Sequence, residues 1–123
     1  MNQRMPAQQA MKARQLYAQG IAQHQAGNLA DAQARYRQVL ALMPRQPDAL
    51  HMLGVTEFQR QRFDDAARLL RDASTLMPSN ALVHFNLGNA LREQRKLDEA
   101  AQAFRKAVDL QPTNLDALKN LGN

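Results

Sequence analysis

Apolar residues in this chain recur at helical spacing, and the stretches that contain them repeat. In the stretch 63–76 they follow one another at intervals of three or four residues, which places them on one face of a helix. Similar stretches precede and follow it, and Pro44, Pro78 and Pro112 mark a period of 34 residues. A fixed period of this size predicts an all-α array of units that stack on one another, without a single globular core.

The period divides the chain into a polar lead-in, three complete units of two helices each, and the beginning of a fourth unit. These segments are residues 1–12, 13–46, 47–80, 81–114 and 115–123. Within the lead-in, no residue from Ala7 onward opposes a helix, so Pro6 is expected at a helix start. The fourth unit stops inside its first helix, and we therefore expect the chain to be a piece of a longer protein.

Turn and cap residues recur with the same period. The three periodic prolines are expected to end the second helix of each unit. Gly27 is expected to end the first helix of the first unit in a left-handed conformation. Gln61 and Arg95 take that place in the later units, which raises the hypothesis that they are left-handed too. Pro47 and Asn80 are expected at the starts of the next two units, Asn80 as an N-cap.

Small residues also recur inside the predicted helices. Glycine destabilises a helix interior by about 0.5–1 kcal/mol relative to alanine, so repeated glycines imply a compensating contact. We interpret them as points where the two helices of a unit approach closely. The glycines are Gly20, Gly54, Gly88 and Gly122. The small residues expected to match them on the second helices are Ala32, Ala66 and Ala100.

These positions resemble the tetratricopeptide repeat over residues 13–123. The resemblance implies a right-handed superhelix of helix pairs, in which the first helices line a concave groove for an extended peptide or a partner helix. The residues that carry it are Leu53, Gly54, Ala66, Leu70, Ala73 and Pro78, and one unit later Leu87, Gly88, Leu91, Ala100, Phe104, Ala107 and Pro112.

The phrases NLGNAL and NLGN, which begin at Asn86 and Asn120, resemble the repeats of O-linked N-acetylglucosamine transferases and their bacterial relatives. In that group a ladder of asparagines holds the backbone of the bound peptide. Asn86 and Asn120 match the ladder position, whereas Ala18 and Met52 interrupt it in the first two units.

The family's groove positions fall on a surface that is apolar and aromatic at its N-terminal end and more polar at its C-terminal end. Such a surface suits a peptide with apolar anchors. The alternative is that Tyr17, Phe58 and Phe85 are ordinary packing residues, and that Asn86 and Asn120 cap or bridge neighbouring helices. The groove positions are Tyr17, Ile21, His24, His51, Val55, Phe58, Phe85, Asn86, Asn89, Arg92, Lys119, Asn120 and Asn123.

Net charge is +5, and the excess lies at the N-terminal end. In the first 46 residues the only acid is Asp31, which favours a solvated basic face and leaves open an acidic partner or nucleic acid. The bases that it faces are Arg4, Lys12, Arg14, Arg35, Arg37 and Arg45. The chain has no cysteine and no apolar run of signal-peptide or membrane-span length, so a cytoplasmic protein without a membrane partner is expected.

No catalytic, cofactor or metal site is expected. His24, His51 and His84 have no second ligand type three or four residues later, and the paired acids at 64–65 and 98–99 suit the first turns of helices.

The predicted function is a protein–protein interaction scaffold that binds a peptide or partner protein in its groove. The first alternative is a substrate-recruiting arm of a bacterial glycosyltransferase-like enzyme, and RNA binding is less favoured. Self-association is also open, through the uncovered stripe of Leu115, Leu118 and Leu121. The family's carboxylate clamp, which grips chaperone C-termini, needs lysine where Tyr17 and His51 stand, so a ligand of that kind is not expected.

Overall fold

The computed structural model describes residues 6–113, which form six α-helices and no strand. Helices α1 and α2, α3 and α4, and α5 and α6 pack as pairs, and successive pairs meet through α2 with α3 and α4 with α5. The expected all-α stack is therefore confirmed. The start of a fourth unit, with Leu115, Leu118 and Leu121, lies outside the described residues. The helices are α1 Ala7–Gln25, α2 Leu29–Leu42, α3 Pro47–Gln59, α4 Phe63–Leu76, α5 Ala81–Glu93 and α6 Leu97–Leu110.

Apolar packing runs along the stack as three clusters, each shared by successive helices. The cluster around Leu16 and Val39 joins α1, α2 and α3, and the cluster around Tyr36 and Leu53 continues from α2 to α5. A third cluster around Phe104 joins α4, α5 and α6. Each helix pair thus buries its apolar face on the next pair, as expected of a solenoid. Within residues 6–113, no helix has both the length and the apolar character needed to cross a membrane.

Helix starts follow the cap residues in the sequence. The side chain of Asn80 accepts a hydrogen bond from the Val83 amide at 3.1 Å, which confirms the predicted N-cap of α5. Pro47 is the first residue of α3, as predicted, and Gln46 caps that helix by accepting from the Ala49 amide at 2.7 Å. Helix α1 starts at Ala7, directly after Pro6, and has 19 residues where α3 and α5 have 13.

The turn inside each helix pair contains one left-handed residue. Gly27 has a φ of 82°, Gln61 of 64° and Arg95 of 65°, which confirms the hypothesis that the two non-glycine residues share the conformation. Glycine adopts it without steric cost, whereas other L-residues are strained there.

We expect Gln61→Gly to stabilise the protein slightly, by about 0.5 kcal/mol. The substitution relieves about 1–2 kcal/mol of left-handed strain, and the extra freedom of glycine in the unfolded chain offsets about 0.4–1 kcal/mol of it. The measurement is the free energy of unfolding in urea. Gln102→Gly, in the middle of α6, is the control and should destabilise by about 1 kcal/mol. A loss of stability in Gln61→Gly would contradict the strain assigned to this turn.

The recurrent helical glycines face large side chains, and the atoms nearest to them belong to these side chains, not to the alanines expected to match them. A Cβ atom built on Gly20 would lie 2.6 Å from Cε1 of Tyr36, and one on Gly88 would lie 2.6 Å from Cε1 of Phe104. At Gly54 the nearest atom is Cγ of Leu70, at 2.7 Å. These three residues follow the alanines by four positions, one turn later on the same face of the second helix. The glycines therefore leave room for a side chain, and the alanines are buried in the same clusters as these side chains.

We expect Gly88→Ala to lower the free energy of unfolding by about 1–2 kcal/mol. Overpacking against the Phe104 ring costs about 1–3 kcal/mol, and the better helix propensity of alanine recovers about 0.5–1 kcal/mol. Urea denaturation measures the loss. In a Phe104→Val background the ring is absent, so the same alanine substitution should be neutral or stabilising. An equal loss in both backgrounds would show that the ring is not the cause.

Candidate functional site

Four predicted groove residues come together between α3 and α5. Val55 and Phe58 project from α3, Asn86 and Asn89 project from α5, and Leu70 of α4 closes the base. Together they line a small pocket of about 40 Å³, which we call the α3–α5 pocket. Each pair is three residues apart, so both members of a pair lie on the same face of their helix.

The aromatic groove residues rest on other rings. The Phe58 and Phe63 ring centroids lie 5.3 Å apart, and those of Phe85 and Phe104 lie 5.9 Å apart. The Arg92 guanidinium sits 5.8 Å from the Phe104 centroid, a cation–π distance. Phe58 and Phe85 are partly buried against the apolar cluster around Phe104, so one side of each ring packs inside the stack.

Asn86 bridges neighbouring first helices. Its Nδ2 donates to Nε2 of His51 at 3.0 Å, which ties α5 to α3. The bridging role considered for Asn86 is therefore present in the structure. His51 is buried, and burial lowers its pKa below the ordinary value of 6.5, while the Asp48 carboxylate opposes this more weakly. A neutral imidazole is the form that can accept this hydrogen bond.

The lowered pKa of His51 makes stability depend on pH. The unfolded chain binds a proton more readily than the folded one, so the contribution of His51 is fully present above pH 6.5 and is lost as the pH falls below it. We expect the urea midpoint to drop between pH of about 8 and about 5, and His51→Gln to reduce that drop. His84→Gln, which removes a histidine from the start of α5, is the control. If His51→Gln leaves the pH dependence intact, another group causes it.

Of the groove residues of the first unit, His24 lies in a separate polar network. His24 Nδ1 lies 3.3 Å from the Tyr36 hydroxyl, and its Nε2 lies 2.5 Å from Oε1 of Gln59. Burial, followed by the nearby Tyr17, raises the pKa of Tyr36 to about 12, so its hydroxyl stays protonated. Tyr17 packs on Tyr36 with ring centroids 5.9 Å apart, and both Tyr17 and Ile21 pack on the apolar cluster around Tyr36 and Leu53. This network joins α1, α2 and α3.

Glu57 is a fully buried carboxylate on α3 that was not among the residues predicted for the site. Gln33 of α2 donates to its Oε1 at 2.8 Å, while Arg62 and Arg37 approach its Oε2 at 3.7 and 4.0 Å. Among the described residues, that Oε2 has no hydrogen-bond donor. A signal was present in the sequence, because Leu91 stands one period later and an acid at an apolar position is unusual. The arrangement links α2 to the turn after α3.

The remaining predicted groove residues, Lys119, Asn120 and Asn123, lie outside the described residues. Within residues 6–113, no group of three or more His, Cys, Asp or Glu side chains is placed to hold a metal ion. The chemistry that the described surface offers is thus hydrogen bonding, apolar contact and positive charge.

Two overlapping stretches, residues 17–73 and 51–114, match the family model described as tetratricopeptide repeat. The chain belongs to the tetratricopeptide repeat family. The fold expected from the resemblance, a TPR solenoid, is confirmed by this match and by the solved structures that the chain resembles.

Three of these solved structures illustrate the range of TPR proteins with this fold. The O-GlcNAc transferase of Thermobaculum terrenum matches with a TM-score of 0.86 and 27% identity, over 95% of this chain and 22% of that chain. MamA of Desulfovibrio magneticus RS-1 matches at 0.86 and 27%, over 89% and 62%. The first TPR of Spaghetti (RPAP3), solved with the HSP90 peptide SRMEEVD, matches at 0.87 and 23%, over 91% and 89%.

The chain spans 22% of the transferase chain and 62% of the MamA chain in those solved structures. The comparison with curated proteins gives no match.

Proposed function

We propose that this TPR segment is a protein–protein interaction module that binds an extended peptide, or a segment of a partner protein, along α1, α3 and α5. The α3–α5 pocket is the observation that carries the proposal. Apolar Val55 and Phe58 lie beside the amides of Asn86 and Asn89 there. An apolar lining with a few polar groups is the usual composition of a binding site. The pocket volume of about 40 Å³ fits a small part of a peptide, such as a methyl group.

Asn86 would contact the peptide as an acceptor. Its Nδ2 is directed to His51, so its Oδ1 is the atom that would accept an N–H group from a peptide backbone. His51 would then act as a positioning residue that fixes the amide orientation. This assigns Asn86 both of the roles considered for it, since the bridge between helices holds the ladder residue in place.

The RPAP3 domain, which carries an HSP90 peptide in its solved structure, is an example of peptide binding on this fold. We do not extend that particular ligand to this chain, because Tyr17 and His51 stand where a carboxylate clamp needs lysine. We also assign the segment no catalytic role. The paired acids Asp64 and Asp65 lie in the first turn of α4, where the helix dipole favours them. A cytoplasmic location is part of the proposal and rests on the absence of cysteine.

A second candidate is that the segment recruits substrates for an enzyme domain in a longer protein. The observation that favours it is the 27% identity with the Thermobaculum terrenum transferase over 95% of this chain. Sequencing the source gene beyond residue 123 tests it directly. A glycosyltransferase domain downstream would support this role, whereas a stop codon after a few more repeats would eliminate it.

We expect Val55→Gln to weaken peptide binding by about tenfold, because it places a polar amide where the pocket is apolar. The ligands are peptides selected on the 123-residue chain from a random display library, and fluorescence polarisation gives their dissociation constants.

The matched control is Val108→Gln, the same substitution at a half-buried position on α6, away from the pocket. It should leave the dissociation constants unchanged. Equal weakening by both variants, or a library that yields no peptide dependent on Val55, would contradict the proposed site.

A further inference from the structure

The long first helix creates a second, larger pocket at the N-terminal end of the stack. Its volume is about 260 Å³, and its floor is formed by Ala10 and Ala13 of α1 with Val39 of α2 and Met43. We call this the α1 pocket. It exists because α1 begins earlier within its unit than α3 and α5 begin within theirs, and so extends further toward its N-terminus.

The part of the pocket floor that Ala10 supplies has no counterpart in the second and third units. One and two periods later, the same register holds Pro44 and Pro78, which lie in the turns before α3 and α5. Helices α3 and α5 start after these prolines, at Pro47 and Ala81, so neither has a helical turn at the position equivalent to Ala10. The pocket is therefore a property of this end of the array.

Two charged residues line the α1 pocket. Arg14 on α1 is exposed, and among the described residues no carboxylate lies within 4.0 Å of its guanidinium. Asp48 lies in the first turn of α3, where the helix dipole offsets part of its charge. Burial, and secondarily Asp48, raises the pKa of Tyr17, so the tyrosine that also lines the pocket keeps its phenolic proton.

The first helix pair, which supplies most of the pocket lining, carries an excess of positive charge. Residues 6–46 contain five lysines and arginines against the single acid Asp31, whereas residues 47–113 contain nine bases and nine acids. An excess of one sign attracts a segment of the opposite sign and orients it during the encounter. Acidic residues of a ligand would thus be attracted most strongly on the α1 side of the pocket, beside Arg14.

We propose that the α1 pocket takes one large apolar side chain from an acidic segment of a partner protein. A volume of about 260 Å³ lies just below the range of small-ligand sites, about 300–1,000 Å³, and suits a single side chain better than a helix. Its alanine, valine and methionine floor supplies the apolar contact, and the basic first helix pair supplies the attraction. The inference rests on the proposed function, to which it adds an anchor and a preferred ligand charge.

Three pentapeptides test the proposal: phenylalanine flanked on each side by two aspartates, the same peptide with serine at its centre, and phenylalanine flanked by lysines. Each is titrated into the ¹⁵N-labelled 123-residue chain and followed by NMR. We expect the aspartate–phenylalanine peptide to shift the amides of Ala10, Ala13, Tyr17 and Val39. The serine and lysine peptides should leave them in place.

Two variants remove the two parts of the recognition. Ala10→Leu fills the pocket from a half-buried helical position, and we expect binding of the aspartate–phenylalanine peptide to weaken by about tenfold. Ala22→Leu, at an exposed position of the same helix, is its control and should change nothing. Arg14→Glu should weaken binding by about threefold, while Arg105→Glu, the same charge change on α6, should not.

Equal shifts with the serine peptide, or equal affinity of Ala10→Leu and Ala22→Leu, would overturn the α1 pocket. Peptides that depend on Val55 but are indifferent to Ala10→Leu and Arg14→Glu would overturn it while leaving the proposed function intact. If neither the selected peptides nor the pentapeptides bind, both proposals fail.

Discussion

The fold depends on one repeated contact, in which a large side chain of the second helix fills the space above a glycine of the first. Tyr36, Leu70 and Phe104 occupy this position in successive units, and each is buried. A Cβ atom on the glycine would come closer to them than packed atoms tolerate. The contact sets how closely the two helices of a unit approach. The structural gain offsets the cost of glycine inside a helix.

This spacing within each pair determines what the first helices present to a ligand. Because α3 and α5 belong to equivalent units, residues 34 or 35 positions apart come to lie next to each other. His51 and Asn86 meet across that boundary at 3.0 Å, and Val55 lies beside Asn89 in the pocket. The candidate site is therefore built by the stacking of units, and no single helix or pair contains it. Weakening a glycine contact would change the spacing of these helices and thereby the geometry of the site.

The two joints between units differ in chemistry. The joint between the second and third units is an apolar cluster around Leu70 and Leu87, with the His51–Asn86 hydrogen bond beside it. The joint between the first and second units contains several polar groups, among them the buried Thr56 and Glu57 and the half-buried His24 with its partners on α2 and α3. Polar groups in such a position require specific partners, and they fix one arrangement of the neighbouring helices more narrowly than apolar contact does. The basic end of the molecule lies on this more constrained side.

Much of the local structure was determined by the sequence alone. The cap at Asn80, the start at Pro47 and the left-handed residues at Gln61 and Arg95 depend on neighbours within a few positions, which the sequence displays directly. Only the tertiary structure decided which side chain covers each glycine, which partner Asn86 takes and where the α1 pocket forms. Each of these depends on atoms 16 to 38 positions apart in the chain, whose distances follow from how the helices cross. Spacing in the sequence specifies faces of helices, and packing specifies which faces meet.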